Sequence, residues 1–154
     1  MSVFLADEQG ESVDLIQLRH LAELVLSEEG YPDETEVTVL LVTDDEMASY
    51  NERFLERSGP TDVLAFPVEE LMPGVVPDHD QNGPPLAIGD VIVAPAYVAR
   101  QAAEHDNGFA DEMALMVAHG ILHLLGYDHI DDDDAEAMER REAELLALVG
   151  VARP

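Results

Sequence analysis

From Phe109 to Leu125 the chain forms a helix with no polar side once its first turn is past. Met113, Leu115, Met116, Val117, Ile121, Leu122, Leu124 and Leu125 fall on every face. A helix that is apolar all round has to be enclosed on all sides. This segment therefore belongs at the centre of the fold, with the other elements arranged round it. Two histidines, His119 and His123, lie on the same segment. Burying an imidazole is costly unless its nitrogens are satisfied, so their placement argues for a built-in partner.

His119 and His123 are one turn apart on a common helix face. Gly126 can end the helix in the left-handed conformation that other residues resist, turning the backbone so that His129 swings back toward the first two. Three neutral imidazoles converging on one point suit a catalytic zinc ion, Zn2+, with the fourth coordination position open to water or substrate. Imidazole selects weakly among metals, so nickel, iron and copper suit the same donors. A lone histidine on a helix is usually an ordinary packed residue. Half of the chain's six histidines falling in this one segment, with a glycine at the turn, point to a metal site.

The remaining elements follow from periodicity. Val3 to Glu8 reads as a short strand. From Val13 to Leu26, Leu15, Leu18, Leu21, Ala22 and Val25 recur at helical spacing. Glu36 to Thr43 is β-branched and apolar, hence a buried strand. Thr43-Asp44-Asp45-Glu46 opens a helix that runs to about Leu55, its cap and acids suited to the positive end of the dipole. Thr61 to Pro67 is a short strand, and Glu69 to Pro85, rich in Pro, Gly and Asp, reads as a mobile loop. Leu86 to Ala94 is a strand interrupted at Gly89-Asp90, and Pro95 to His105 is a helix with proline in its first turn. After the central helix, Asp131 to Val149 forms the last one, its opening aspartates capping it rather than holding a metal. The expected fold is α+β: a small mixed β-sheet covered by helices, with a central buried helix carrying two metal-binding histidines. At 154 residues, one domain over 1–154 is expected.

The charge limits the partners. Acidic residues number 34 against seven arginines and no lysine, a net −27. Such a surface repels DNA and acidic membranes, and reads as a solvated acidic coat, with halophilic adaptation one origin for it. The lack of cysteine excludes disulfides and thiolate metal sites. No long apolar run and no basic-then-apolar leader is visible, so the expectation is a cytoplasmic protein without a membrane segment.

The pattern His-x-x-x-His-x-x-Gly-x-x-His has the ligand spacing of one group of zinc proteases. In those enzymes a glutamate after the first histidine is the general base; here that position is Gly120. Peptidase chemistry therefore lacks its base, whereas a dication that polarises a substrate oxygen and acidifies water serves phosphodiesters equally well.

At this point the chain resembles a known family, the bacterial YbeY endoribonucleases or rRNA maturation factors. The likeness rests on the segment from His119 to His129 with the acidic stretch and Met138 after it, on Pro60-Thr61-Asp62-Val63-Leu64-Ala65-Phe66-Pro67, and on Gly89-Asp90-Val91-Ile92. These motifs, in matching order, cover most of residues 36–148. The resemblance implies a metal-dependent, single-strand-specific endoribonuclease that processes the 3′ end of small-subunit ribosomal RNA and acts in ribosome quality control. It implies partners in the small ribosomal subunit and its assembly factors. It also implies that His119, His123 and His129 are the metal ligands, with zinc the usual ion.

One departure stands out. The family commonly carries an arginine five residues before the proline of its Pro-Thr-Asp motif, held important for activity; here that residue is Leu55. Arg53 and Arg57 lie two residues to either side, but a two-residue shift turns a helical side chain by about 200°, so neither replaces it simply. Arg53, Arg57 and Arg100 are the RNA-binding candidates, expected as a small positive rim near the metal. Asp62, Asp90 and Asp128 are the candidate catalytic carboxylates, able to hold a ligand imidazole or position water. Tyr50, Asn51 and Phe54 read as helix-packing residues rather than a base-stacking surface. The competing reading is a ribosome-assembly factor whose metal is mainly structural.

Overall fold

The structure, a computed structural model, describes residues 1–154. Its elements are β1 (Ser2–Asp7), α1 (Leu15–Glu28), β2 (Thr35–Leu41), α2 (Asp44–Leu55), β3 (Val63–Pro67), β4 (Leu86–Val93), α3 (Pro95–Glu104), α4 (Phe109–Leu124) and α5 (Asp132–Ala147). The four strands lie in the order β1-β2-β4-β3. The pairs β1/β2 and β2/β4 are parallel, and β3 runs antiparallel to β4 as an edge strand. This is the α+β architecture with a mixed sheet that the sequence leads one to expect. The Gly89-Asp90 interruption is a bulge within a continuous β4, where the register against β2 shifts between Glu36 and Val37.

Strand alternation divides the molecule. Val37, Val39 and Leu41 of β2 are buried on one face, and the residues between them are half-buried on the other. On the first face α1, α4 and α5 close the main core, in which Val117, Ile121, Leu122 and Leu124 of α4 are fully enclosed. On the second, a smaller cluster gathers Val42, Met47, Leu64, Ile92 and Ala94 beneath α2, with Tyr50, Phe66 and Tyr97 at its margin.

Gly120 sets how closely α4 lies on the sheet. A Cβ there would come 2.5 Å from Val91 Cγ1 and 3.3 Å from Val63 Cγ2. The position that holds the base in zinc proteases is thus pressed against the sheet, with no room for a glutamate. At the other end, the Gly126 N–H donates to His123 O and the Tyr127 N–H to Leu122 O, a Schellman closure. Gly126 has φ +102°, and a Cβ would lie 2.1 Å from Leu71 O.

That approach shows that the loop expected over 69–85 is packed on the body at its start. Leu71 packs on the main core, and Glu69 to Met72 form one wall of a cleft. At the start of α5, the Asp131 carboxylate accepts from Asp134 N at 2.8 Å, as a cap should.

Candidate metal centre

α4 brings His119 and His123 to the cleft and the turn at Gly126 returns His129 to them. Their donor nitrogens all lie within 4.8 Å of one another. Ring centroids are 4.6 Å apart for His119 and His123, 5.0 Å for His123 and His129, and 5.9 Å for His119 and His129. His119 and His123 are half-buried and His129 is exposed, so the imidazoles face the cleft rather than the closed core. The cleft, of about 920 Å³, lies between α4, β3 and the 69–72 wall. Burial first, and then the neighbouring His119 and His129, hold the His123 pKa below its ordinary value. The imidazole is thereby kept in the neutral form that ligates. Three nitrogen donors of this kind, converging at an open cleft, fit a divalent metal ion.

A residue missed in the sequence completes the arrangement. Glu142 of α5 has 2% of its side chain exposed, and its Oε1 lies 3.3 Å from His119 Nδ1. Its Oε2 makes no hydrogen bond and lies 3.6 Å from Arg153 Nε. A carboxylate on the far nitrogen of a ligand imidazole fixes its tautomer and ring orientation. The signal was present in outline: Glu142 stands one turn from Met138 and one turn from Leu145 and Leu146, on the buried face of α5.

The other candidates separate. Asp128 lines the cleft, and its Oδ1 accepts from His129 N at 2.7 Å. Asp62 also lines it, but both oxygens are engaged locally, by Val63 N at 2.7 Å and by Gln101 Nε2 at 3.3 Å. Asp90 is exposed, opposite Phe66 in the β3/β4 pairing, and lies outside the cleft. Leu55 does line the cleft, whereas Arg53, Arg57 and Arg100 do not. Arg100 is paired with Asp44 at 2.6 Å. The one guanidinium in the lining is that of Arg153, which sequence reasoning passed over because nothing in its flanking residues marks it.

The model of the family described as "Endoribonuclease YbeY" matches residues 5–150. The chain belongs to the YbeY endoribonuclease family. Its YbeY relatives include the "Endoribonuclease YbeY" of Acidothermus cellulolyticus, 42% identical over 95% of this chain and 90% of that one. The protein of the same name in Kineococcus radiotolerans is 39% identical over 100% of this chain and 91% of its own length. Among solved structures, the solution structure of TM1509 from Thermotoga maritima is similar, with a TM-score of 0.61 and 30% identity. It covers 96% of this chain and 91% of that one. Membership of the YbeY family and the convergence of His119, His123 and His129 were both legible in the motif segment. No helix is long and apolar enough to cross a membrane.

Proposed function

We propose that this chain, acting as one domain over residues 1–154, is a metal-dependent endoribonuclease specific for single-stranded RNA. Its role is 3′-end processing of small-subunit ribosomal RNA and ribosome quality control in the cytoplasm, with the small subunit and its assembly factors as partners. The observation that carries the reading is the convergence of three imidazole nitrogens within 4.8 Å at the mouth of an open cleft, in a chain of the YbeY family. His119, His123 and His129 would hold one ion, Zn2+ being the choice that suits three imidazoles and an open position. That ion, when bound, supplies Lewis acidity toward a phosphoryl oxygen and toward water.

The chain's own residues do the rest. Glu142 orients His119 by accepting from its Nδ1–H, so that Nε2 faces the cleft. The cleft between β3 and the 69–72 wall is where the unpaired strand would lie. Of the three candidate aspartates, Asp128 lines the cleft with an oxygen not engaged by its neighbours, which supports it as the group that takes the proton of the attacking group. Water and the ribose 2′-hydroxyl both suit that role. Arg153, the one guanidinium in the cleft lining, would meet a phosphate there.

A second reading has a specific observation behind it. Leu55 presents an apolar side chain to the cleft where the family resemblance leads one to expect arginine. This favours a ribosome-assembly factor with a structural metal and little cleavage. One experiment separates the two: metal-loaded protein and His123→Ala are each offered single-stranded ribosomal RNA. Cleavage by the wild type alone supports the nuclease. Equal cleavage by both assigns the activity to contamination, and no cleavage with retained ribosome association supports the assembly factor.

A further inference from the structure

The chain's fixed positive charge is confined to seven arginines, and most are tied to carboxylates. Arg100 pairs with Asp44, Arg140 with Glu136, Arg141 with Glu29 and Glu144, and Arg153 with Glu139 and Glu142. Arg19 donates to the carbonyl of Val3. Arg53 and Arg57 alone have neither kind of partner, and both stand at the C-terminal end of α2. On a surface of net charge −27, two guanidiniums left without a carboxylate point to an anion from outside the chain.

The same helix end carries an aromatic cluster. Phe54 stacks with Tyr50 at 6.1 Å and 21° and meets Phe66 edge-on at 5.4 Å. The Arg53 guanidinium lies over the Phe54 ring, 5.1 Å from its centre, and over that of Tyr50 at 5.8 Å, so a base stacking on that face would take the place of the guanidinium as it turns to a phosphate. Despite these neighbours Phe54 remains 55% exposed. Sequence periodicity assigned these residues to helix packing, and that holds for Asn51, which is buried and donates to Gly59 O at 2.9 Å. It does not account for Phe54. The cluster adjoins the histidine cleft, since Leu55 lines that cleft and Phe66 alternates along β3 with Ala65 and Pro67, which line it too. β3, which carries Phe66 and lines the cleft, is the edge of the sheet, with no strand beyond it.

We propose that Phe54, framed by Tyr50 and Phe66, is a stacking platform for a nucleobase of the RNA strand whose backbone enters the cleft, with Arg53 and Arg57 holding the flanking phosphates. The inference rests on the nuclease reading above. Stacking on a ring needs an unpaired base and tolerates any base, because each has a π-face. The platform therefore selects single strands without selecting sequence.

The test is fluorescence anisotropy of a labelled 2′-O-methyl uridine oligomer, and of a matched abasic oligomer, on metal-loaded protein. Phe54→Leu, at an exposed position, is expected to weaken the uridine oligomer about tenfold or more while leaving the abasic one unchanged. Phe54→Trp should keep wild-type affinity. Arg53→Ala should weaken both oligomers. If Phe54→Leu binds the uridine oligomer as the wild type does, the platform is overturned and the nuclease reading stands. A wild type that neither binds nor cleaves single-stranded RNA overturns both.

Discussion

Glu142 brings a carboxylate into the core with one oxygen 3.3 Å from His119 Nδ1 and the other without a hydrogen bond. An arrangement of that kind serves the metal at a cost to the metal-free fold. Glu142→Gln should therefore weaken zinc binding by about 10- to 100-fold, while the metal-free protein melts at the same temperature or higher. Titration calorimetry with zinc, and melts in the presence of a chelator, check the two halves. Unchanged affinity with a lowered melting temperature would make Glu142 a packing residue. His123 gives a second prediction. Because its pKa in the folded protein lies below the ordinary value, the unfolded chain protonates first as pH falls. The stability tied to its neutral form is complete above about pH 6.5 and is lost as pH falls from there toward the folded pKa. Melts of the metal-free wild type should accordingly decline relative to His123→Asn across that window. A constant difference between the two would contradict the assignment.

At the scale of elements, α4 and its terminal turn carry the site, and Gly126 is where both depend on one residue. A side chain there meets a positive φ and the Leu71 carbonyl together. Gly126→Ala should cost about 1–3 kcal/mol or more and also displace His129, so that denaturant stability and zinc affinity fall together. Loss of stability with full zinc affinity would mean that the turn does not aim the third ligand. These features differ in how far the sequence shows them. α4 is plain because an all-apolar helix has one possible environment, and His119, His123 and His129 are plain because ligand spacing along one helix and turn is local. Glu142 and Arg153 reach the site through the packing of α5 and the segment after it, a tertiary fact that no local pattern encodes. The 69–72 wall escaped for the same reason, since irregular backbone leaves no period to read. The rim expected of Arg53, Arg57 and Arg100 rested on the suitability of arginine for phosphate, which does not say where each side chain goes. Arg53 and Arg57 flank Leu55 at the end of α2, yet only Leu55 lines the cleft, and Arg100 turns to Asp44.

For the whole molecule, the dominant fact is a net charge of −27 meeting a polyanion. Few arginines are free to contact phosphate, so counterion release contributes little, whereas long-range repulsion is large and screened by salt. Affinity for single-stranded RNA should hold or rise between low and moderate salt; a steep fall would show a phosphate-dominated interface that this fold does not display. A resident ion should also stabilise the folded state in proportion to its concentration over its Kd, so that chelation lowers the melting temperature. The most direct test of the account is the metal itself. X-ray absorption and elemental analysis of zinc-loaded protein should find one ion per chain, bound by three imidazole nitrogens with a remaining position filled from solvent, and none in His123→Ala. A chain that retains no stoichiometric ion, or one whose ion is closed off by a fourth protein ligand, would contradict it.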